Sequence, residues 1–149
     1  KFPSDEIKFD FAKANFSTGN ANSKTLIAML NQKLPKSFLS GANIDLDKVL
    51  KKGSKHEYHH IFPKKHLERL GKTRREINCL ANICFLTRSD NNTIKDKSPS
   101  EYGSNMSATT KSDYLNRALV PEDFDSSSYE EFLATRNQLL EDYAKDLMK

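Results

Sequence analysis

The chain has 149 residues, enough for one domain with a modest core, and its 36% hydrophobic and 30% charged residues describe a polar domain. No apolar run approaches the roughly 20 residues of a membrane span, and the opening Lys1-Phe2-Pro3-Ser4-Asp5 lacks a hydrophobic leader segment. The net charge of +4 is unevenly spread: nine Lys and Arg against three acids between Lys51 and Glu76, three bases against eight acids between Pro121 and Lys149. A polyanion would be drawn to the first of these stretches.

In chain order, a short helix is expected over 2–16, with Ser4 as its cap and Ile7, Phe11 and Ala14 on one face. After a loop at 16–22, a second helix starts near Ser23 and carries Leu26, Ile27, Leu30 and Leu34 at helical spacing until Pro35 stops it. Both read as scaffold. The region around Gly41 is turn-rich, 44–47 reads as a short strand or a helix start, and 51–55 is a basic entry to the centre of the chain. Glu57 to Phe62 reads as a strand ended by Pro63, and Lys64 to Leu70 as a helix closed by Gly71. Ile77 to Leu86 reads as a second strand, and Ser89 as the N-cap of a helix running to about Lys95. Helices resume at Ser112 to Ala118 and at Tyr129 to Met148. The last carries Tyr129, Phe132, Leu133, Leu140, Tyr143 and Leu147 on its apolar face. The fold class these elements predict is α+β.

The residues that could carry chemistry gather between Glu57 and Lys95. Hydrolysis of a phosphodiester needs an activated water and a group that neutralises the in-line transition state. A histidine near its ordinary pKa can take the water's proton, and a divalent cation can supply the positive charge. Successive strand residues face opposite sides, so His59 and His60 fit two distinct roles better than one shared metal. The strand end at Pro63 lets both reach one cleft. A hard cation could take a further oxygen from Asn91 or Asn92, and Lys95 lies one turn on, within reach of a phosphate. Spacing does not separate the two asparagines, and turn formation is the plain alternative for both.

Lys64-Lys65 and Arg74-Arg75 are candidate phosphate contacts, with a solvated basic face as the alternative. His56 and His66 flank the histidine pair, His66 as a surface residue, and Asn78 reads as a turn former. Cys79 and Cys84 read as reduced, buried thiols, because the paired short spacings of a zinc knuckle are absent. The sequence also lacks a glycine-rich phosphate loop.

The runs His59-His60-Ile61-Phe62-Pro63, Asn82-Ile83-Cys84-Phe85-Leu86 and Asn91-Asn92-Thr93-Ile94-Lys95, continuing to Tyr102, resemble an HNH (ββα-metal, or His-Me finger) nuclease. More narrowly they resemble the C-terminal nuclease domain of GmrSD-type, modification-dependent restriction proteins, used against phage. The Phe2-Pro3-Ser4-Asp5 opening and the Tyr129-x-x-Phe132-Leu133-x-x-Arg136 helix share that resemblance.

The resemblance implies a ββα-metal core embedded in a mostly helical domain: a helical scaffold at 1–50, the nuclease core at 51–104, and C-terminal helices at 105–149. It implies His60 as general base, Asn82 as the residue that shapes the loop and helps orient that base, and His59 and Asn91 as metal ligands. Asn92 as ligand stays open as the alternative register. Lys64, Lys65, Arg74, Arg75 and Lys95 are then the expected DNA contacts. The cofactor would be one divalent ion, Mg2+ or Mn2+ first, with Co2+, Ni2+ or Zn2+ as alternatives. His59 stands where many HNH enzymes carry Asp, which shifts preference toward softer ions.

The expected partners are DNA and, as the resemblance implies, an N-terminal recognition domain of the same protein that hydrolyses nucleotides; the start on Lys1 suggests a fragment of a longer chain. No membrane contact is expected, the location is cytoplasmic, and a homo-oligomer is left open. The rival reading is a non-catalytic DNA-binding module that uses the same basic patch around a degenerate site.

Overall fold

The computed structural model describes residues 10–17, 21–46 and 57–148. Its main elements are α1 (Ala21–Gln32), β1 (Glu57–His60), α2 (Lys64–Arg69), α3 (Arg74–Ile77), β2 (Ile83–Leu86), α4 (Arg88–Ile94), α5 (Pro99–Gly103), α6 (Leu115–Arg117) and α7 (Tyr129–Leu147). A small sheet among helices is the expected α+β class. Residues 2–9 of the helix expected at 2–16, the basic segment 51–55 and His56 lie outside the described residues. Within 10–16 the chain makes turns, not a helix, and Asn15 bridges to Cys79.

The two strands pair antiparallel, with Tyr58 opposite Phe85, His59 opposite Cys84 and His60 opposite Ile83. An isolated two-stranded hairpin is marginal in water. Here β2 is buried along its whole length, because each of its faces meets a different cluster. Cys84 and Leu86 pack with Phe38, Ile61, Leu67, Tyr102 and Phe132. Ile83 and Phe85 pack with Leu26, Ile27, Leu30 and Leu80. Burying one such aliphatic side chain contributes about 1.5–3 kcal/mol, so the helices on both faces stabilise the hairpin.

Several element boundaries differ from expectation, each for a local reason. Helix α1 ends at Gln32, and Leu34 turns out with a positive φ of 52° and 71% exposure; it is no part of the apolar face. Only the last four residues of the stretch Ile77 to Leu86 form a strand. A capping box between Thr73 and Glu76 starts α3, which ends at Ile77, and Leu80–Asn82 makes one 3-10 turn. Helix α4 is capped by Thr87, whose hydroxyl accepts from the Asp90 N–H, and not by Ser89. Helix α2 follows Pro63, and Gly71 turns the chain at φ 81°, as expected. Before α6 the chain makes a π turn, Thr110–Tyr114, in place of a plain helix from Ser112.

Helix α7 opens on a capping box between Ser128 and Glu131. Its buried stripe is Tyr129, Phe132, Arg136, Leu140 and Ala144. Leu133 and Tyr143 are partly buried, but Leu147 is exposed. The unexpected member is Arg136, which is fully buried. Its guanidinium donates to the carbonyls of Leu80, Ala81 and Ile83 on one side, and to those of Ala118 and Leu119 on the other. Among the described residues it has no acidic partner. Cys79 and Cys84 are free and buried, as expected. No described helix is long and apolar enough to cross a membrane.

Candidate active site

The site is assembled where the end of β1 meets α4 and the turn after α3. The alternation of β1 sends His59 to the Cys84 side of the sheet, between the rings of Phe38 and Tyr102 at near-perpendicular angles. Its Nδ1 lies 2.9 Å from Asn91 Oδ1. Asn92, the next residue, is exposed. The structure therefore brings His59 together with Asn91, not Asn92.

With the Asn91 oxygen facing it, Nδ1 carries the imidazole proton, and Nε2 is buried with no hydrogen-bond partner among the described residues. Burial holds the ring neutral: it pulls the pKa from the ordinary 6.5 down to about 4, with His60 adding to the fall and the Asn91 hydrogen bond opposing it. An imidazole nitrogen and an amide oxygen are donor types that could hold a divalent cation, and their 2.9 Å separation here is that of a hydrogen bond. No cluster of three or more His, Cys, Asp or Glu side chains suited to a metal occurs among the described residues. Protein atoms at such a site would thus leave most coordination positions to water and phosphate.

Asn91 is itself held in place. The preceding Asp90 is buried, and its carboxylate accepts from the Leu39 and Ser40 N–H groups and the Ser40 hydroxyl. Burial alone would raise the Asp90 pKa, but hydrogen bonds from Ser37, Ser40 and Leu39 outweigh it and hold the carboxyl low. That carboxylate ties the start of α4 to the loop carrying Phe38, which walls His59.

His60, on the opposite face of β1, is half-buried beside Tyr58. Its Nε2 lies 2.7 Å from Asn78 Oδ1. Burial lowers its pKa, the Asn78 hydrogen bond opposes this, and the charge of Lys64 lowers it further. Nδ1 of His60 has no partner among the described residues.

Asn82 is fully buried, and its side-chain hydrogen bonds go to Phe62 and Ile77, not to His60. Its Oδ1 accepts from the Phe62 N–H at 2.8 Å, and its Nδ2 donates to the carbonyls of Phe62 and Ile77. Its own carbonyl accepts from the Ile61 N–H. The residue bolts the exit of β1 to the turn before β2, so the contact with the histidine belongs to Asn78. A turn reading of Asn78 describes its backbone, which closes α3, but misses its side chain. Tyr102 is a further holding residue, its hydroxyl donating to the Ile61 carbonyl.

The basic residues are less tightly placed. Lys64 is exposed at the start of α2, and its charge is felt at His60. Lys65 pairs with Asp96 at 3.5 Å across exposed surface. Arg74 and Arg75 are exposed on α3, which leads into Asn78. Lys95 is exposed at the end of α4 with a positive φ of 46°. His66 is half-buried against Phe62 and makes no contact with the histidine pair.

Over residues 2–141 the chain matches the family model described as GmrSD restriction endonucleases, C-terminal domain. The chain belongs to that family. The GmrSD C-terminal domain is a restriction-endonuclease domain, which makes nuclease activity and a DNA substrate its broad assignment. The chain matches no curated protein and no solved structure. The 57–102 stretch that carries the resemblance lies within the matched residues, and so does Arg136.

Proposed function

We propose that this GmrSD C-terminal domain is a metal-dependent HNH endonuclease that hydrolyses DNA phosphodiester bonds within a phage-defence protein. The observation that carries the reading is the arrangement around β1: His59 meets Asn91 on one side, while His60 on the other has one nitrogen held and one bare. Nothing in DNA binding alone calls for that division.

In this reading His59 Nδ1 and Asn91 Oδ1 would hold one divalent cation. When bound, the cation neutralises the scissile phosphate and the charge that builds on the leaving oxygen. His59 can serve as a neutral ligand because its burial keeps it unprotonated at neutral pH. Bound through Nδ1, the ring would carry its proton on Nε2, beside the Phe38 and Tyr102 rings. An imidazole-amide pair brings no negative charge, which favours Mn2+, Co2+ or Ni2+ over Mg2+ relative to an Asp-containing site.

His60 Nδ1 takes a proton from water as that water attacks phosphorus in line, and the bond to the 3′ oxygen breaks. The products would carry 5′-phosphate and 3′-hydroxyl ends. Asn82 keeps the loop after His60 in register. Lys64, Lys65, Arg74, Arg75 and Lys95 would contact phosphates, with Lys64 nearest the base in electrostatic effect. An N-terminal recognition domain of the same protein would choose the DNA.

The test is cleavage of supercoiled plasmid with Mn2+. The wild-type chain should cut, and His60→Ala should lose most of the roughly 10²–10⁴-fold that a general base supplies while still binding DNA. Undiminished cutting by His60→Ala would remove His60 from the mechanism. Binding without any cutting by wild type would favour the non-catalytic module.

A further inference from the structure

We infer that Asn78 is the positioning residue for the hydrolytic base: its side-chain oxygen, 2.7 Å from His60 Nε2, sets which ring nitrogen is bare and where it points. This rests on the assignment of His60 as base, and it divides between two asparagines what one was expected to do. Asn82 spends its side chain on backbone groups of Phe62 and Ile77 and offers nothing to the imidazole. Asn78 reaches from the end of α3 to β1, and a residue that only formed a turn would not need that carboxamide.

The position of Asn78 is set by its backbone. Its N–H donates to the Arg74 carbonyl at 3.0 Å, and its carbonyl accepts from the Phe16 N–H at 2.9 Å. The carbonyl just before it, on Ile77, accepts from Asn82 Nδ2 at 3.0 Å. Phe16 in turn stacks on Tyr58, whose ring borders His60. The backbone that carries the carboxamide is therefore held from three sides. An amide oxygen accepts a hydrogen bond and cannot donate one, so Nε2 carries the proton and Nδ1 keeps its lone pair.

In a Ser-His-Asp triad a carboxylate plays the equivalent orienting part. Beside a DNA phosphate a carboxylate would repel the substrate, whereas an amide orients the ring without adding charge. The geometry thus suits a base that works on a polyanion.

The experiment is steady-state plasmid cleavage with Mn2+ by wild type, His60→Ala, Asn78→Ala and Asn78→Asp, with 15N spectra of the wild-type His60 ring. Asn78→Ala should lower kcat about 10–100-fold, the usual cost of removing a partner that orients a functional side chain, with KM and Mn2+ affinity unchanged. Asn78→Asp restores the acceptor and should recover kcat while raising KM. The spectra should show the proton on Nε2. Wild-type kcat in Asn78→Ala overturns the inference and leaves the base assignment standing; a proton on Nδ1 overturns the inference and removes Nδ1 as the basic atom. Full activity of His60→Ala overturns both. If Asn78→Ala loses its fold, Asn78→Asp carries the test alone: kcat near wild type supports the inference, and kcat as low as that of His60→Ala overturns it.

Discussion

Two buried polar regions, the turn that leads into β2 and the histidine beside α4, are built in opposite ways. In the turn at 77–83, polar groups are saturated with partners. Asn82 makes three side-chain hydrogen bonds to backbone, and Arg136 donates to five carbonyls. Beside α4, His59 has a single hydrogen bond and a second nitrogen buried without any. Buried polar groups are normally satisfied, and an exception calls for a reason. The contrast separates a region whose hydrogen bonds hold geometry from a histidine whose second nitrogen is buried beside aromatic rings.

Breaking the saturated side should have the largest effect. Arg136→Met removes all five donations and leaves carbonyls of the turn unpaired in the core. Each buried carbonyl left without a donor costs about 1–3 kcal/mol. The urea midpoint should fall with little change in m, and an unchanged midpoint would mean that the turn is held by packing alone. Arg136→Lys should rescue little, because an ammonium lacks the planar fork that reaches both sets of carbonyls.

The under-bonded side should show itself through pH. The His59 pKa is about 4 in the fold against an ordinary 6.5. Between those values the unfolded chain binds the proton and the folded chain does not. Stability from this group is thus fully present above about pH 6.5 and is lost as pH falls toward 4, by up to about 3 kcal/mol. His59→Asn should flatten the slope of urea midpoint against pH in that window. An equal slope in the variant would place the titrating group elsewhere.

What could be read from the sequence divides along the same line. Elements set by local chemistry were legible: the strand from Glu57, which ends at His60 and not at the expected Phe62, the helix closed by Gly71, and the long helix that follows Ser128. The apolar run Ile77 to Leu86 misled because its hydrophobic members are buried throughout, so burial does not mark where helix end, 3-10 turn and strand succeed one another. The side chains that hold that turn include one from Arg136, more than 50 residues away along the chain. Thr87 and Ser89 are both acceptable caps. Thr87 is the one whose N–H also meets the Ser37 hydroxyl, a contact 50 residues away in sequence.

At the site, the histidine pair and the alternation of their faces follow from strand geometry. The choice of Asn91 over Asn92 needs the position of α4 against β1, which only packing supplies. Asn78 gave no signal beyond turn propensity, because its partner lies 18 residues back on another element.

The most direct test of the central claim, that His59 and Asn91 form the cation site, is calorimetric titration with Mn2+ of wild type, His59→Ala, Asn91→Ala and Asn92→Ala. One ion should bind per wild-type chain, with binding lost in His59→Ala and Asn91→Ala and kept in Asn92→Ala. Wild-type affinity in Asn91→Ala, or its loss in Asn92→Ala alone, would contradict the account.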